Sequence, residues 1–445
     1  MNDADLPVIL GGAPILDKAH LPAWPSLAAE AAVEDIEDAL RKGAWAMGKR
    51  TAAFEEMFAV YCGVKHALLL TNCSQAISLT LQALGIKPGD EVILPSVGFI
   101  SDLTAVMLIG AVPILADVDG KTCNISPEGI QACLSGRTKA ILTLPYSGIP
   151  CDMQPINTIA DRHGIPVIED AAHAHGSEYR GRRIGAWATA SCFSFDQNKV
   201  VSAGQGGAIV TDDAVLAQKL RRMRAFGQNS ELSLPEWIHY TDVSINYKPT
   251  DLQAILLSHQ LSTLDTQIAY RQRQYEKINS ALEELPGLAA VIPTPGTQRL
   301  SHYMMRFNYA YGTWGGLDRN LLIKALLQEG LPLGSGWTPL YYRIEAYPGG
   351  KGVAGIEAWR HRLPNAEDTS RKTVTLSINL LMAGETTVEQ AIAGMRRVHR
   401  HAPAILDYFQ RPGNRPACRS NDPVIKAGYA WLTGRPVTPY GRGIE

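Results

Sequence analysis

Seven short apolar runs, six of them carrying Val, Ile or Leu, punctuate the first half of this chain: HALLL at 66–70, EVILP at 91–95, VPILADV at 112–118, TKAILTLP at 138–145, PVIED at 166–170, ASCFSF at 190–195 and GGAIVTD at 206–212. A strand with one wet face alternates apolar and polar residues. Runs that stay apolar throughout need cover on both faces. Helix-period segments lie between them, such as Gln75 to Leu84, and a helical segment near Ser26 to Gly43 precedes them. The expected fold is therefore α/β, a large domain with a mostly parallel sheet between helices.

From Asp251 to Glu284 the apolar residues Leu252, Leu256, Leu264, Ile268, Tyr275, Ile278 and Leu282 recur at helical spacing. Thr250-Asp-Leu-Gln253 introduces them as a capping box, and Pro286-Gly287 stops them. This predicts one long helix leaving the large domain. Residues 287–402 mix short strands with helices such as Arg319 to Glu329, as a smaller C-terminal α/β domain would. The expected divisions are an N-terminal arm (1–14), a large domain (15–250), the helix with the small domain (251–402) and a tail (403–445). The tail is rich in Pro, Gly and Arg, shows no clear period and is expected to wrap the surface.

Lys and Arg number 42 against 43 Asp and Glu, so no global field would draw the chain to nucleic acid or to an anionic membrane. A small-molecule partner is expected instead. The basic run Arg396, Arg397, His399, Arg400 and His401 reads as a solvated helix face. The seven cysteines are scattered with no CxxC or Cys/His cluster, as reduced, mostly buried thiols of a cytoplasmic protein would be. The N-terminus lacks a basic region before a long apolar run, and no apolar stretch approaches a membrane span. Neither export nor insertion is expected.

In a mostly parallel sheet, ligands sit beyond the carboxyl ends of the strands, so the polar residues after each apolar run are the candidates. HALLL runs into Thr71-Asn-Cys-Ser74 at a helix start, a place for a phosphate, although Asn72 or Ser74 equally reads as a simple N-cap. PVIED ends in Asp170, followed by His173 and His175. A carboxylate there suits a protonated pyridine nitrogen, or else caps the next helix. ASCFSF leads to Lys199 and a glycine-rich turn, Gly204-Gln-Gly-Gly207. A single lysine otherwise reads as a solvated surface charge, but at a crevice-facing turn it can lose charge by desolvation and give the neutral amine that condenses with an aldehyde.

Taken together and in this order, PGDEVILPSVGF, EDAAHAHGS, FSFDQNKVVSAGQGG and INYKPTDLQA resemble the DegT/StrS sugar aminotransferases, fold-type I enzymes dependent on pyridoxal 5'-phosphate (PLP). The resemblance runs from about Gly11 to Ala402. It implies that Lys199 carries PLP as a Schiff base and moves the proton between substrate carbon and cofactor. It further implies that Asp170 pairs with the pyridine nitrogen, that His173 lies near the phenolic oxygen, and that Phe99 stacks on the ring. By the same resemblance Ser74 and Ser194 contact the phosphate. Asn246 would reach the phosphate of a neighbouring subunit, which implies a homodimer with shared active sites.

Tyr341 matches a substrate-facing position and is equally compatible with a packed aromatic. Some residues depart from the family pattern: Cys73-Ser74 for Gly-Thr, Gly98 for Ser or Thr, Pro145 for His, Gln205 for Glu, and Lys248-Pro249 for Arg-Met. GGAPI, HAHG and GLPLGSGWTPLYYR resemble the branch that aminates keto-cyclitols with glutamine or glutamate more than the nucleotide-sugar branch. The rivals are a PLP enzyme of elimination or oxidation and a regulatory protein of PLP fold; retention of Lys199 and lack of a visible DNA-binding module weigh against them. A nicotinamide dehydrogenase would need a GxGxxG that is absent between a first strand and helix.

Overall fold

The computed structural model describes residues 5–25, 30–232, 234, 237–310, 312–340, 362–411 and 414. Each of the seven apolar runs is a strand. In chain order, with one short hairpin between the fifth and sixth, they are β1 His66–Leu70, β2 Glu91–Pro95, β3 Val112–Ala116, β4 Thr138–Thr143, β5 Val167–Asp170, β6 Glu178–Tyr179, β7 Arg182–Arg183, β8 Ala190–Ser194 and β9 Gly207–Thr211. One sheet takes the order β1-β9-β8-β5-β4-β2-β3, and β6 and β7 stand outside it. The pairs β2/β3, β2/β4, β4/β5 and β5/β8 are parallel, whereas β9 is antiparallel to both of its neighbours. Six carboxyl ends therefore share one edge. β9 enters at that same edge, with Gly207 opposite Leu70 and Ser194.

Every residue of β2, β5, β8 and β9 is buried, the double cover that unalternating strands require. Each fully buried Val, Leu or Ile contributes about 1.5–3 kcal/mol. Asn72, Ser126 and Asp213 cap the helices Cys73–Ala83, Pro127–Cys133 and Ala214–Arg224 by accepting from backbone N–H groups of the first turn.

Two compact units account for the chain: 22–275 with 292–304, and 1–21 with 276–291 and 305–445. The capping box is present, with Gln253 N donating to Thr250 Oγ1 at 3.3 Å and Thr250 N to Gln253 Oε1 at 2.8 Å. It opens a helix over Asp251–Leu282. The helix does not part from the larger unit at 250 but stays with it as far as Tyr275. Buried Leu257, Leu264 and Ile268 and the Gln260 side chain, bonded to Ser202 N at 2.9 Å, tie it there.

The smaller unit carries a sheet in the order Leu288–Ala290, Met304–Tyr309, Thr373–Ser377, Leu333–Ser335. Its helices include Arg319–Gln328, as expected, and Glu385–Arg400. Two expectations are corrected here. The tail begins as a helix, Ala402–Gln410, because Ala402, Ile405 and Phe409 form a short buried stripe that the Pro- and Gly-rich residues after it obscure. The basic run is not a uniformly solvated face: Arg396 pairs with Glu284 and Arg400 with Asp5, but Arg397 is buried against Glu329. Among the described residues no helix is long and apolar enough to cross a membrane.

Candidate active site

The turn after β8 sets the position of Lys199. Phe195 N donates to Gly206 O at 2.9 Å, Gln197 N to Gly204 O at 3.0 Å and Lys199 N to Asp196 O at 2.9 Å. Gly204 has φ +77°, a conformation that side chains disfavour. Gln205 does not disturb this turn, since its amide donates to Asp196 Oδ2 at 3.2 Å and its carbonyl accepts from Gln253. Trp24 Nε1 donates to Lys199 O at 3.1 Å. The lysine backbone is thus held, and the side chain keeps only partial contact with solvent. Protein packs around its amine densely enough that burial lowers the pKa below the ordinary lysine value, although Asp170, Cys73, Asp196 and Asp102 all pull the other way.

Asp170, the last residue of β5, is buried and accepts from Ala172 N at 3.0 Å. The Cys73 thiol lies 3.6 Å from its Oδ1; burial first, and then Asp170, hold that thiol in its neutral form. His173 and His175 follow, with different fates. His173 accepts from Ser147 N at its Nδ1 (3.3 Å), and its ring stacks on Tyr303 with centroids 4.2 Å apart. His175 is packed against Phe193, and burial, with Lys199 next, pushes its pKa to about 3.

Tyr303 was not foreseen from the sequence. Its ring centre lies 4.8 Å from Lys199 Nζ and beside His173, and burial raises its hydroxyl to about 12. Residues 292–304 return to the larger unit from a stretch expected to belong wholly to the smaller domain, so no local pattern marks them. Ser301 Oγ donates to His173 O at 2.6 Å, Ser301 N to Ser177 Oγ at 2.8 Å, and Ser177 Oγ to Gly148 O at 2.7 Å. Arg271, wholly buried, donates to Ser301 O at 2.9 Å. These bonds fix the segment that presents Tyr303. Asp102 was also missed: an acid set within the otherwise apolar helix Ile100–Leu108 is the signal that would have shown it.

Of the remaining candidates, Ser194 ends β8 buried, accepting from Asp196 N at 3.3 Å. Ser74 is exposed in the first turn of Cys73–Ala83, and Asn72 is the N-cap, its Oδ1 accepting from Gln75 N at 2.9 Å. Gly207 runs so close to that helix start that an added Cβ would lie 2.3 Å from Asn72 C and 2.6 Å from Cys73 N. Phe99 precedes the helix Ile100–Leu108 with 46% of its surface exposed. Asn246 is exposed, and its Oδ1 accepts from Lys248 N at 3.1 Å, a local turn within this chain. Tyr341 lies outside the described residues.

These residues fit PLP. A buried lysine amine and a buried carboxylate stand at neighbouring strand ends, beside a helix N-terminus whose approach only glycine permits. Fold and site together define a PLP-dependent transferase of α/β build. Residues 27–395 match the DegT/DnrJ/EryC1/StrS aminotransferase family, and the chain belongs to that family.

It is 31% identical over 402 residues to L-glutamine:2-deoxy-scyllo-inosose aminotransferase of Streptoalloteichus tenebrarius, covering 85% of this chain and 94% of that protein. GDP-perosamine synthase of Caulobacter vibrioides is 42% identical over 227 residues, 51% of this chain and 60% of that one. The crystal structure of 3-amino-5-hydroxybenzoic acid synthase superposes with a TM-score of 0.78 at 32% identity, over 85% of this chain and 99% of that chain.

Proposed function

We propose that this aminotransferase takes the amine of glutamine or glutamate and delivers it to the ketone of a keto-cyclitol or keto-sugar, in secondary-metabolite or amino-sugar biosynthesis. The observation that carries the chemistry is the Lys199 amine, enclosed and lowered in pKa one strand away from Asp170. Bound there, PLP supplies the electron sink. Asp170 holds the proton on the pyridine nitrogen. Lys199, as a neutral amine, would hold the cofactor at its aldehyde carbon, with loss of water, and would take and return the proton at the substrate carbon. In this reading His173 would serve the phenolic oxygen, Phe99 a ring face, and Ser74 and Ser194 the phosphate, while Tyr341, outside the described residues, is kept as the substrate residue that the family resemblance implies.

The keto-cyclitol preference rests on the near full-length likeness to an aminotransferase named for 2-deoxy-scyllo-inosose. The higher identity to GDP-perosamine synthase over a shorter span favours a second reading, a nucleotide keto-sugar as acceptor. The test mixes PLP-loaded protein with single amino acids, follows the cofactor absorption, and then challenges the aminated form with keto-cyclitols, ketoses and nucleotide keto-sugars. Glutamine or glutamate should bleach the cofactor band, and a keto-cyclitol should restore it. Restoration by nucleotide keto-sugars alone overturns the cyclitol reading, and no bleaching by any amino acid overturns the amino transfer.

The working form in this reading is a homodimer in a reducing cytoplasm, with neither nucleic acid nor membrane as partner. Between Phe226 and Asn246 the chain exposes Phe226, Leu232, Trp237 (68%), Tyr240 and Val243 (99%), more apolar surface than one segment normally leaves in water. A second copy is its cover, and a two-fold interface would bring each Asn246 to the other subunit's phosphate. Mixing inactive Lys199→Ala with inactive Asn246→Ala under subunit exchange should restore activity, because one site of the heterodimer then carries both lesions and the other none. No recovery despite demonstrated heterodimers returns Asn246 to its own subunit.

A further inference from the structure

The helix Ile100–Leu108 carries Asp102 in its first turn among Ile, Leu, Val and Met. Asp102 is fully enclosed, with 0% of its surface exposed, and among the described residues no donor reaches either carboxyl oxygen. After burial itself, the group that acts most on its charge is the Asp170 carboxyl, by repulsion and by a shared hydrogen bond. Two carboxylates are acceptors only and cannot bond to each other, whereas one proton shared between them makes an O–H donor and an acceptor. Two buried anions this close would also repel.

The surrounding titratable groups do not relieve this. The Cys73 and Cys192 thiols are held neutral by burial, and the Lys199 amine is itself disfavoured as a cation by burial. Burial first, and Asp170 second, hold the Asp102 carboxyl well above the usual carboxylate range. The choice of which acid keeps the proton follows from the hydrogen bonds. Asp170 already accepts from Ala172 N and lies 3.6 Å from the Cys73 thiol, so it fills the acceptor role, whereas among the described residues neither Asp102 oxygen has a donor and the O–H belongs there.

We infer that Asp102 is a positioning residue that donates a carboxyl proton to Asp170. The inference rests on the reading of Asp170 as the partner of the pyridine nitrogen. The donated bond keeps the negative charge on Asp170, orients that carboxylate, and tempers its pull on the ring proton, as a hydrogen bond to any carboxylate does. Asp102 touches neither substrate nor the reacting carbon in this account.

The test compares the holoenzyme with Asp102→Asn, which keeps a donor in nearly the same shape, Asp102→Leu, which removes it, and Asp170→Asn. Two spectroscopic readouts are used. The first is the carboxylic C=O stretch in the infrared, recorded well above the value of about 7 at which Glu169 ionises, so that Glu169 is silent. The second is the ring-nitrogen chemical shift of bound 15N-labelled PLP. Wild type should show a carboxylic acid band that Asp102→Asn loses. Asp102→Asn should keep the wild-type nitrogen shift, and Asp102→Leu should move it and weaken PLP binding about tenfold or more, as loss of a bond to a charged group does. An unchanged acid band in Asp102→Asn, or a wild-type nitrogen shift in Asp102→Leu, overturns the proposal; the band on Asp102→Asn decides alone if Asp102→Leu fails to fold. An unmoved nitrogen shift in Asp170→Asn instead overturns the reading of Asp170, whatever the band shows.

Discussion

In the smaller unit the buried charges of Arg397 and Glu329 answer one another; at the carboxyl edge of the larger unit's sheet, Lys199, Asp102 and Glu169 have no such answer. Arg397 donates to Glu329 and, at 2.7 Å, to Ala13 O, while the second Glu329 oxygen accepts from Val8 N at 2.9 Å. The helix Glu385–Arg400 and the N-terminal residues are joined through this pair. At the sheet edge, burial lowers Lys199 and raises Glu169 to about 7, and one Glu169 oxygen lacks a partner among the described residues. A buried charge with its opposite in contact holds elements together, whereas one without it changes protonation and is available for chemistry.

The sharpest way to break that contrast is Lys199→Ala. The protein should fold at no cost in stability, since a desolvated amine is removed, and should lose activity by several orders of magnitude together with its borohydride-reducible adduct. Peptide mapping of the reduced protein checks it, and an adduct on another lysine would refute the assignment. Arg397→Met tests the opposite region: it strands Glu329 in the interior and should cost about 3–5 kcal/mol in urea unfolding. Arg397→Met with Glu329→Gln should recover much of that loss, and cofactor absorption of the folded fraction should match wild type. A single variant as stable as wild type would mean that the pair holds nothing.

Glu169→Gln gives the smallest effect and sharpens the comparison through pH. The folded pKa is raised, from 4.5 to about 7, so the stability that Glu169 contributes is present below pH 4.5 and is lost as pH rises through about 7. The glutamine variant should therefore gain on wild type across that window by up to about 3 kcal/mol. His175 and His302, both pushed down to about 3 by burial, titrate alike in the two proteins and cancel in the difference. A pH-independent difference in urea unfolding of the apoprotein would place Glu169 with the paired charges.

What could be read in advance follows the reach of each signal. The seven strands, the capping box at Thr250 and the turn at Lys199 are local patterns, and each appears where the sequence places it. Arg397 was misread because a charge run says nothing of which member faces the partner that buries it, and Glu329 is far away in the chain. The stripe Ala402, Ile405 and Phe409 was hidden by the composition of the residues beyond it.

The sequence by itself determined the α/β architecture, the long helix and the order of Asp170, His173 and Lys199 along the sheet edge, because periodicity and turn chemistry act over a few residues. Tertiary structure alone decided that Tyr303 returns to lie beside both His173 and Lys199, that His175 packs on Phe193 while His173 stacks on Tyr303, and that Asp102 comes under the influence of Asp170. Each of these depends on which side chains share a desolvated space. Desolvation and Coulomb interaction act through space between residues that no sequence spacing relates.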